Sequence, residues 1–202
     1  KILIFDEISI HILKEILYDN DYYVLNVRKS TLHLNIFFKS LINYGFKWNF
    51  NKYLIDVINF VSPDSILSFS DNNTFLWKLK KKLKKKTSIL LIQNGYRNYA
   101  HDVFEIIDEN NFDKAEFEID LFAVFSEATK NYYSNYIKGE KLVIGSFRNN
   151  QIPIKLSDKN LDIIFISEFA SKKHFTPKYN PNDYWYPEYF FLPIIQEFAI
   201  NN

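Results

Sequence analysis

The chain contains no cysteine, which excludes a disulfide framework, a thiolate metal site and a catalytic cysteine together. It contains no methionine either, not even at position 1, so the numbering is expected to start inside a longer natural chain. No stretch approaches the ~18 to 20 consecutive apolar residues of a membrane span. The opening Lys1-Ile-Leu-Ile-Phe-Asp6 has the pattern of a short strand rather than of a signal peptide, and a soluble cytoplasmic protein is the expectation. Neither sign of charge dominates: 25 Lys and Arg face 24 Asp and Glu, for a formal net charge of +1. Whole-chain charge therefore argues for neither nucleic acid nor an anionic membrane. None of the four glycines falls in a Gly-x-Gly-x-x-Gly, Walker or Gly-x-Ser-x-Gly pattern, which disfavours dinucleotide, P-loop and esterase-elbow chemistry. His11, His33, His101 and His174 show no paired metal-ligand spacing, so no metal site is expected.

Apolar and aromatic side chains are abundant: 47% of the 202 residues are hydrophobic, with 20 Phe and 14 Tyr. This is enough for one α/β domain plus a remainder. Apolar runs of strand length alternate with helical patterns. Strands are predicted at 1–5, 22–27, 66–70, 88–92, 121–125 and 142–144, and helices at 8–17, 35–44, 51–61, 74–86 and 127–137. Nearly continuous apolar strands separated by helices predict a Rossmann-like parallel sheet with helices on both faces. The polar stretch 149–160, with Pro153, Ser157, Asp158 and Lys159, reads as a boundary. The prediction is a first domain over 1–150, a linker at 151–160, and the truncated beginning of a second α/β domain at 161–202.

Ligands of open parallel sheets sit beyond the strand carboxyl ends, so the residues after each run are the ones to weigh. Three corners are rich in polar side chains. Asp71, Asn72 and Asn73 follow the third run, where they suit a ligand or the cap of the next helix. Gln93, Asn94, Gly95 and Arg97 follow the fourth; the glycine permits a positive-φ turn, and the others offer donors for sugar hydroxyls, carboxylate or phosphate. Gly145, Ser146 and Arg148 follow the sixth, with backbone amides and a guanidinium for an anion. Separately, Lys78 to Lys86 packs seven lysines into nine residues. It reads either as a solvated face or as a contact with anionic lipid or polyanionic glycan. No recognition-helix or aromatic nucleic-acid motif accompanies it, so nucleic acid is not expected as a partner.

In this order, Asp71-Asn72-Asn73, Gln93-Asn94-Gly95-Tyr96-Arg97, Phe125-Ser126-Glu127 before a Tyr-rich helix, and Ile144-Gly145-Ser146-Phe147-Arg148-Asn149-Asn150 resemble bacterial surface-carbohydrate-biosynthesis transferases. The resemblance is to glycosyltransferases of GT-B architecture, which have two Rossmann-like domains. It implies that residues 1–150 are the acceptor-side domain and that most nucleotide-sugar contacts lie beyond Asn202, leaving the chain incompetent for transfer alone. It further implies Asp71 as the first candidate catalytic carboxylate and Glu127 as the second. Asn72, Asn73, Gln93, Asn94, Gly95, Arg97, Gly145, Ser146 and Arg148 are implied as substrate-binding residues. The donor would be a nucleotide sugar, with no separate cofactor, and the acceptor a glycan or lipid-linked glycan at the inner membrane face. A non-catalytic glycan- or partner-binding domain and a polyol-phosphate transferase are the alternatives.

Overall fold

The computed structural model describes residues 1–17, 22–28, 32–97, 102–148 and 197. The chain divides into compact units at Lys1–Pro153 and Ile154–Asn202. The predicted linker at 151–160 and, apart from Glu197, the second domain predicted at 161–202 lie outside the described residues.

Six strands form one parallel sheet: β1 (Ile2–Phe5), β2 (Tyr22–Leu25), β3 (Ser65–Ser68), β4 (Ser88–Ile92), β5 (Glu118–Val124) and β6 (Lys138–Val143). Their order is β2-β1-β3-β4-β5-β6, and every neighbouring pair is parallel. The connecting helices are α1 (Ile10–Leu17), α2 (Leu34–Tyr44), α3 (Phe50–Val61), α4 (Thr74–Trp77), α5 (Val103–Glu109) and α6 (Glu127–Ser134). The Rossmann-like α/β class read from the alternation is the observed one.

Because side chains alternate across a strand, the sheet sends two sets of apolar residues in opposite directions. Leu3, Phe5, Ile66, Ile89, Leu91, Phe122 and Val124 enter the larger core, packed with Tyr53 and Ile58 of α3, Trp77 of α4, Phe104 of α5 and Tyr133 of α6. Trp77 is at the centre, edge-on to Phe117 and Tyr133 at 5.4 and 6.4 Å between ring centroids. Ile4, Phe69 and Ile92 point the other way, onto Ile12 and Leu13 of α1.

Three of the differences between the element bounds and the sequence reading have a physical reason. The helix expected over 74–86 ends at Trp77, and a 3-10 turn follows at Lys80–Lys82. Lysines spaced three and four apart would repel one another along a continued helix; instead Lys80 turns to Asp120 and Lys85 to Asp64. β5 begins three residues before its apolar run, since Glu118 and Asp120 flank buried Ile119 and pair with Lys80 at 3.0 and 2.7 Å. β6 is a mostly polar edge strand, Lys138-Gly-Glu-Lys-Leu-Val143, and charged side chains are what protect an edge from further pairing. The run-length reading also leaves out α5, although Asp102 caps it by accepting from the Val103 N–H at 2.7 Å.

Gly139 makes the β5–β6 pairing possible. Its φ is +121°, and a Cβ there would stand 2.1 Å from the Ile119 carbonyl oxygen. Gly139→Ala should therefore destabilise the sheet by about 2 to 3 kcal/mol through overpacking and backbone strain. Urea unfolding checks this; an unchanged midpoint would mean that the edge strand yields at no cost.

Candidate functional site

In a doubly wound sheet the crevice forms where strand order reverses, here between β1 and β3, with β2 on one side and β4 to β6 on the other. The ladder between these strands ends at Ile4 and Leu67. Beyond it, the Ser68 hydroxyl donates to the Phe5 carbonyl at 2.7 Å and accepts the Ser70 N–H at 3.0 Å. Asp6 follows β1 with φ 72°, a conformation that carboxamide and carboxylate residues tolerate better than most. It is 3% exposed. Its Oδ1 accepts the Glu7 N–H at 2.8 Å, while Oδ2 accepts Arg28 Nε at 2.8 Å and the Ser70 hydroxyl at 3.2 Å.

A second guanidinium arrives from the far edge of the sheet. Arg148 donates through Nε to Ser9 Oγ at 2.9 Å and through a terminal nitrogen to the same atom, and Phe147 packs against Phe69 with centroids 5.9 Å apart. β6 lies four strand spacings from β1, roughly 19 Å at ~4.8 Å per spacing. The chain after β6 therefore runs back across the strand ends to reach the crevice. Gly145 turns it there with φ 72°.

The Asp71 corner lies next to the crevice and is internally satisfied. Asp71 is wholly buried. Arg97 grips it with two bonds, Nε to Oδ2 at 2.9 Å and a terminal nitrogen to Oδ1 at 2.5 Å, and the Tyr133 hydroxyl donates to Oδ2 at 3.0 Å. The Trp77 indole donates to the Asp71 carbonyl at 3.0 Å. Burial works against the Arg97 charge, but the hydrogen bonds and charge of Asp71 outweigh it and hold the guanidinium above its usual pKa. Burial first, and then the Asp71 charge, push the Tyr133 phenol well above its usual value, so it remains a donor across the physiological range. The exposure of the two arginines separates their roles: the Arg97 side chain is 16% exposed and that of Arg28 63%. Arg97 is locked inside, whereas Arg28 faces solvent from a buried carboxylate.

The other predicted residues divide in the same way. Asn73 is the cap of α4, accepting the Phe75 N–H at 3.0 Å, and Asn72 is exposed. Gln93 is buried and ties two strand ends together, donating to the Gly95 carbonyl at 2.9 Å and accepting the Phe125 N–H at 2.8 Å. Asn94 keeps a buried Oδ1 without a hydrogen-bond partner. Gly95 does not take the positive φ that glycine permits, and a Cβ there would meet open space; the Gln93 amide on its carbonyl shapes the turn instead. Ser146 is half-buried beside Gly145. Glu127 opens α6 after the Ser126 cap and pairs with Lys130 at 3.3 Å in full view of solvent. Asp6, Ser9, Arg28 and Ser70 were not singled out from sequence. The available signal was Asp6 directly after the first strand run, the same rule that drew attention to the other corners.

The lysine run is at the opposite end of the sheet, between α4 and the first residue of β4. Lys78 stacks over Phe112 at 4.5 Å and pairs with Glu116, Lys80 pairs with Glu118 and Asp120, Lys81 donates to the Ala115 carbonyl, and Lys85 pairs with Asp64 at 2.6 Å. The hydrogen bonds from Lys85 and from the N-terminal ammonium, then their charges, lower the Asp64 pKa to about 2. Among the described residues there is no helix long and apolar enough to cross a membrane, and no cluster of three His, Asp or Glu that could hold a metal ion.

Residues 90–201 match the model of a family described as "putative O-antigen biosynthesis protein". The chain belongs to this family. Membership places it in surface-carbohydrate biosynthesis, as the corner motifs imply. The matched region carries Arg97, Glu127, Tyr133 and Arg148, whereas Asp6, Arg28 and Asp71 precede it. No curated protein and no solved structure matches the chain.

Proposed function

We propose that the chain carries the acceptor-side domain of a GT-B glycosyltransferase, which moves a sugar from a nucleotide-activated donor to a glycan acceptor in O-antigen assembly. The observation that carries this reading is the convergence at the switch point of buried Asp6 with Arg28 and Ser70, beside the Ser9–Arg148 contact. Glycosyl transfer needs a carboxylate to take the proton of the acceptor hydroxyl as its oxygen attacks the anomeric carbon. The bond from that carbon to the donor phosphate breaks, and the phosphate leaves with the electron pair. In this reading Asp6 takes the proton, and Arg28 and Arg148 balance the leaving phosphate or an acidic acceptor sugar. Asp71 positions Arg97, and through it the corner holding Gln93 and Asn94. Glu127, on the same rim two strands from β3, is the second carboxylate to test.

A thermal-shift screen of the full-length gene product against nucleotides, nucleotide sugars and free glycans tests the reading. A nucleotide sugar at ~100 Kd should add about 2.7 kcal/mol, which is roughly 5 to 10 °C for a domain of this size. Stabilisation by glycans alone, with no nucleotide effective, would overturn it in favour of a non-catalytic glycan-binding domain.

A further inference from the structure

The helix α2 is apolar on two sides. One side packs inward: Phe37 meets Trp48 and Tyr53 edge-on at 5.5 and 6.2 Å between centroids, and buried Ser40 accepts from the Trp48 indole at 3.2 Å. The other carries Leu34, Phe38 and Ile42, spaced by four and so aligned along one face, and Phe46 continues the stripe into the following turn. These four are 62, 57, 83 and 112% exposed. A helix of a water-soluble surface normally turns a polar side outward, and a contiguous exposed apolar patch marks an interaction site.

The charges around the stripe select the partner. From Tyr22 to Ile55 there is no Asp or Glu, whereas Lys39, Lys47 and Lys52 are basic. Lys39 and Lys47 are exposed beside the stripe, and Lys52 donates to the Lys47 carbonyl while its ammonium covers the Tyr44 ring at 4.7 Å. Bulky apolar and aromatic side chains set among lysines, in a segment without Asp or Glu, match the interfacial layer of an anionic bilayer. Location agrees. Ser62 caps the end of α3 just before β3 begins opposite Ile2, so α3 ends at the amino edge of the sheet. Its 12 residues span about 18 Å, which puts Phe50 and the adjoining turn at Gly45–Lys47 toward the strand carboxyl ends, the rim that holds the Asp6 crevice.

We infer that the exposed face of α2, with the turn at Phe46, docks on an anionic lipid surface and brings the switch-point crevice to a membrane-borne molecule. In the lysine run at 78–86, at the other edge of the sheet, Lys78, Lys80 and Lys85 are paired with Glu116, Glu118, Asp120 and Asp64, and docking is assigned to α2 rather than to this run. The inference stands on the surface alone and does not depend on the transfer chemistry proposed above.

Vesicle sedimentation with the full chain decides it. The protein should pellet with vesicles of equal phosphatidylglycerol and phosphatidylcholine and not with phosphatidylcholine alone, and binding should weaken as salt rises. Replacing Phe38, Ile42 and Phe46 together by Ser should weaken binding at least tenfold. Lys39→Gln with Lys47→Gln should flatten the salt dependence, and this second variant leaves every apolar side chain in place. Lys82→Gln, Lys84→Gln and Lys86→Gln together should leave binding unchanged. The inference is overturned by absence of binding at low salt, by loss of binding in the lysine-run variant only, or by a stripe variant that binds as before. It is equally overturned if the parent chain is a dimer that fails to bind vesicles and the stripe variant is a monomer, since the occupant would then be a second copy.

Discussion

Asp71→Ala should lower the stability of the sheet domain by about 3 to 5 kcal/mol, the range for removing one partner of a buried ion pair. The carboxylate is wholly buried and takes two bonds from Arg97 and one from Tyr133. Without it a guanidinium only 16% exposed and a buried phenol lose their acceptor together, and neither reaches water without moving the turn after β4. Asp71→Asn should recover only part of the loss. An amide offers one acceptor oxygen, and its NH2 group would face the donor fork of Arg97. Chemical denaturation followed by near-ultraviolet circular dichroism, to which the buried Trp77 beside Asp71 contributes, reads the effect. An unfolding free energy within about 0.5 kcal/mol of the parent for Asp71→Asn, combined with lost transfer, would return Asp71 to the catalytic role that the resemblance implies.

The second large effect concerns activity. Asp6→Asn in the full-length protein should reduce turnover by about 10² to 10⁴, the usual contribution of a positioned proton acceptor, with KM changed little. Folding should be largely preserved: Asn keeps an acceptor for the Glu7 N–H and tolerates the φ of 72°, and where its NH2 would meet Arg28 that side chain, 63% exposed, can turn to water. Arg28→Gln should instead raise KM for the charged substrate, because its side chain is 63% exposed and holds its ligand from outside the core. Glu127→Gln serves as the comparison at the same rim. Turnover of Asp6→Asn within threefold of the parent would remove Asp6, and a collapse in Glu127→Gln would put the proton acceptor at the head of α6.

The contrast between the two aspartates shows why the sequence rule for strand ends finds corners but does not rank them. Asp6 and Asp71 both follow apolar strand runs and both meet an arginine. Burial of the arginine separates them, and burial is set by what packs around Arg97 from α5 and α6, elements that follow Asp71 by at least thirty residues. The Gly95 turn makes the same point: glycine permits positive φ there, but the Gln93 side chain closes the turn without it.

Composition and periodicity by themselves determined the class of this protein. Apolar runs too short for helices and too continuous for one-sided sheets must be buried on both faces, and helices between them force parallel pairing, with every polar corner on one rim. The cap foreseen among Asp71, Asn72 and Asn73 is likewise local, since the Asn73 bond to the Phe75 N–H closes within two residues. Only the tertiary structure decided strand order, and with it the switch point, because runs of similar composition can pair in several orders at comparable local cost. It also decided which corners meet. The contact of Arg148 with Ser9 spans 139 residues and exists only because the chain after β6 turns back across four strand ends. Nothing within the reach of a local pattern encodes that return, since its driving force is the burial of Phe147 against Phe69.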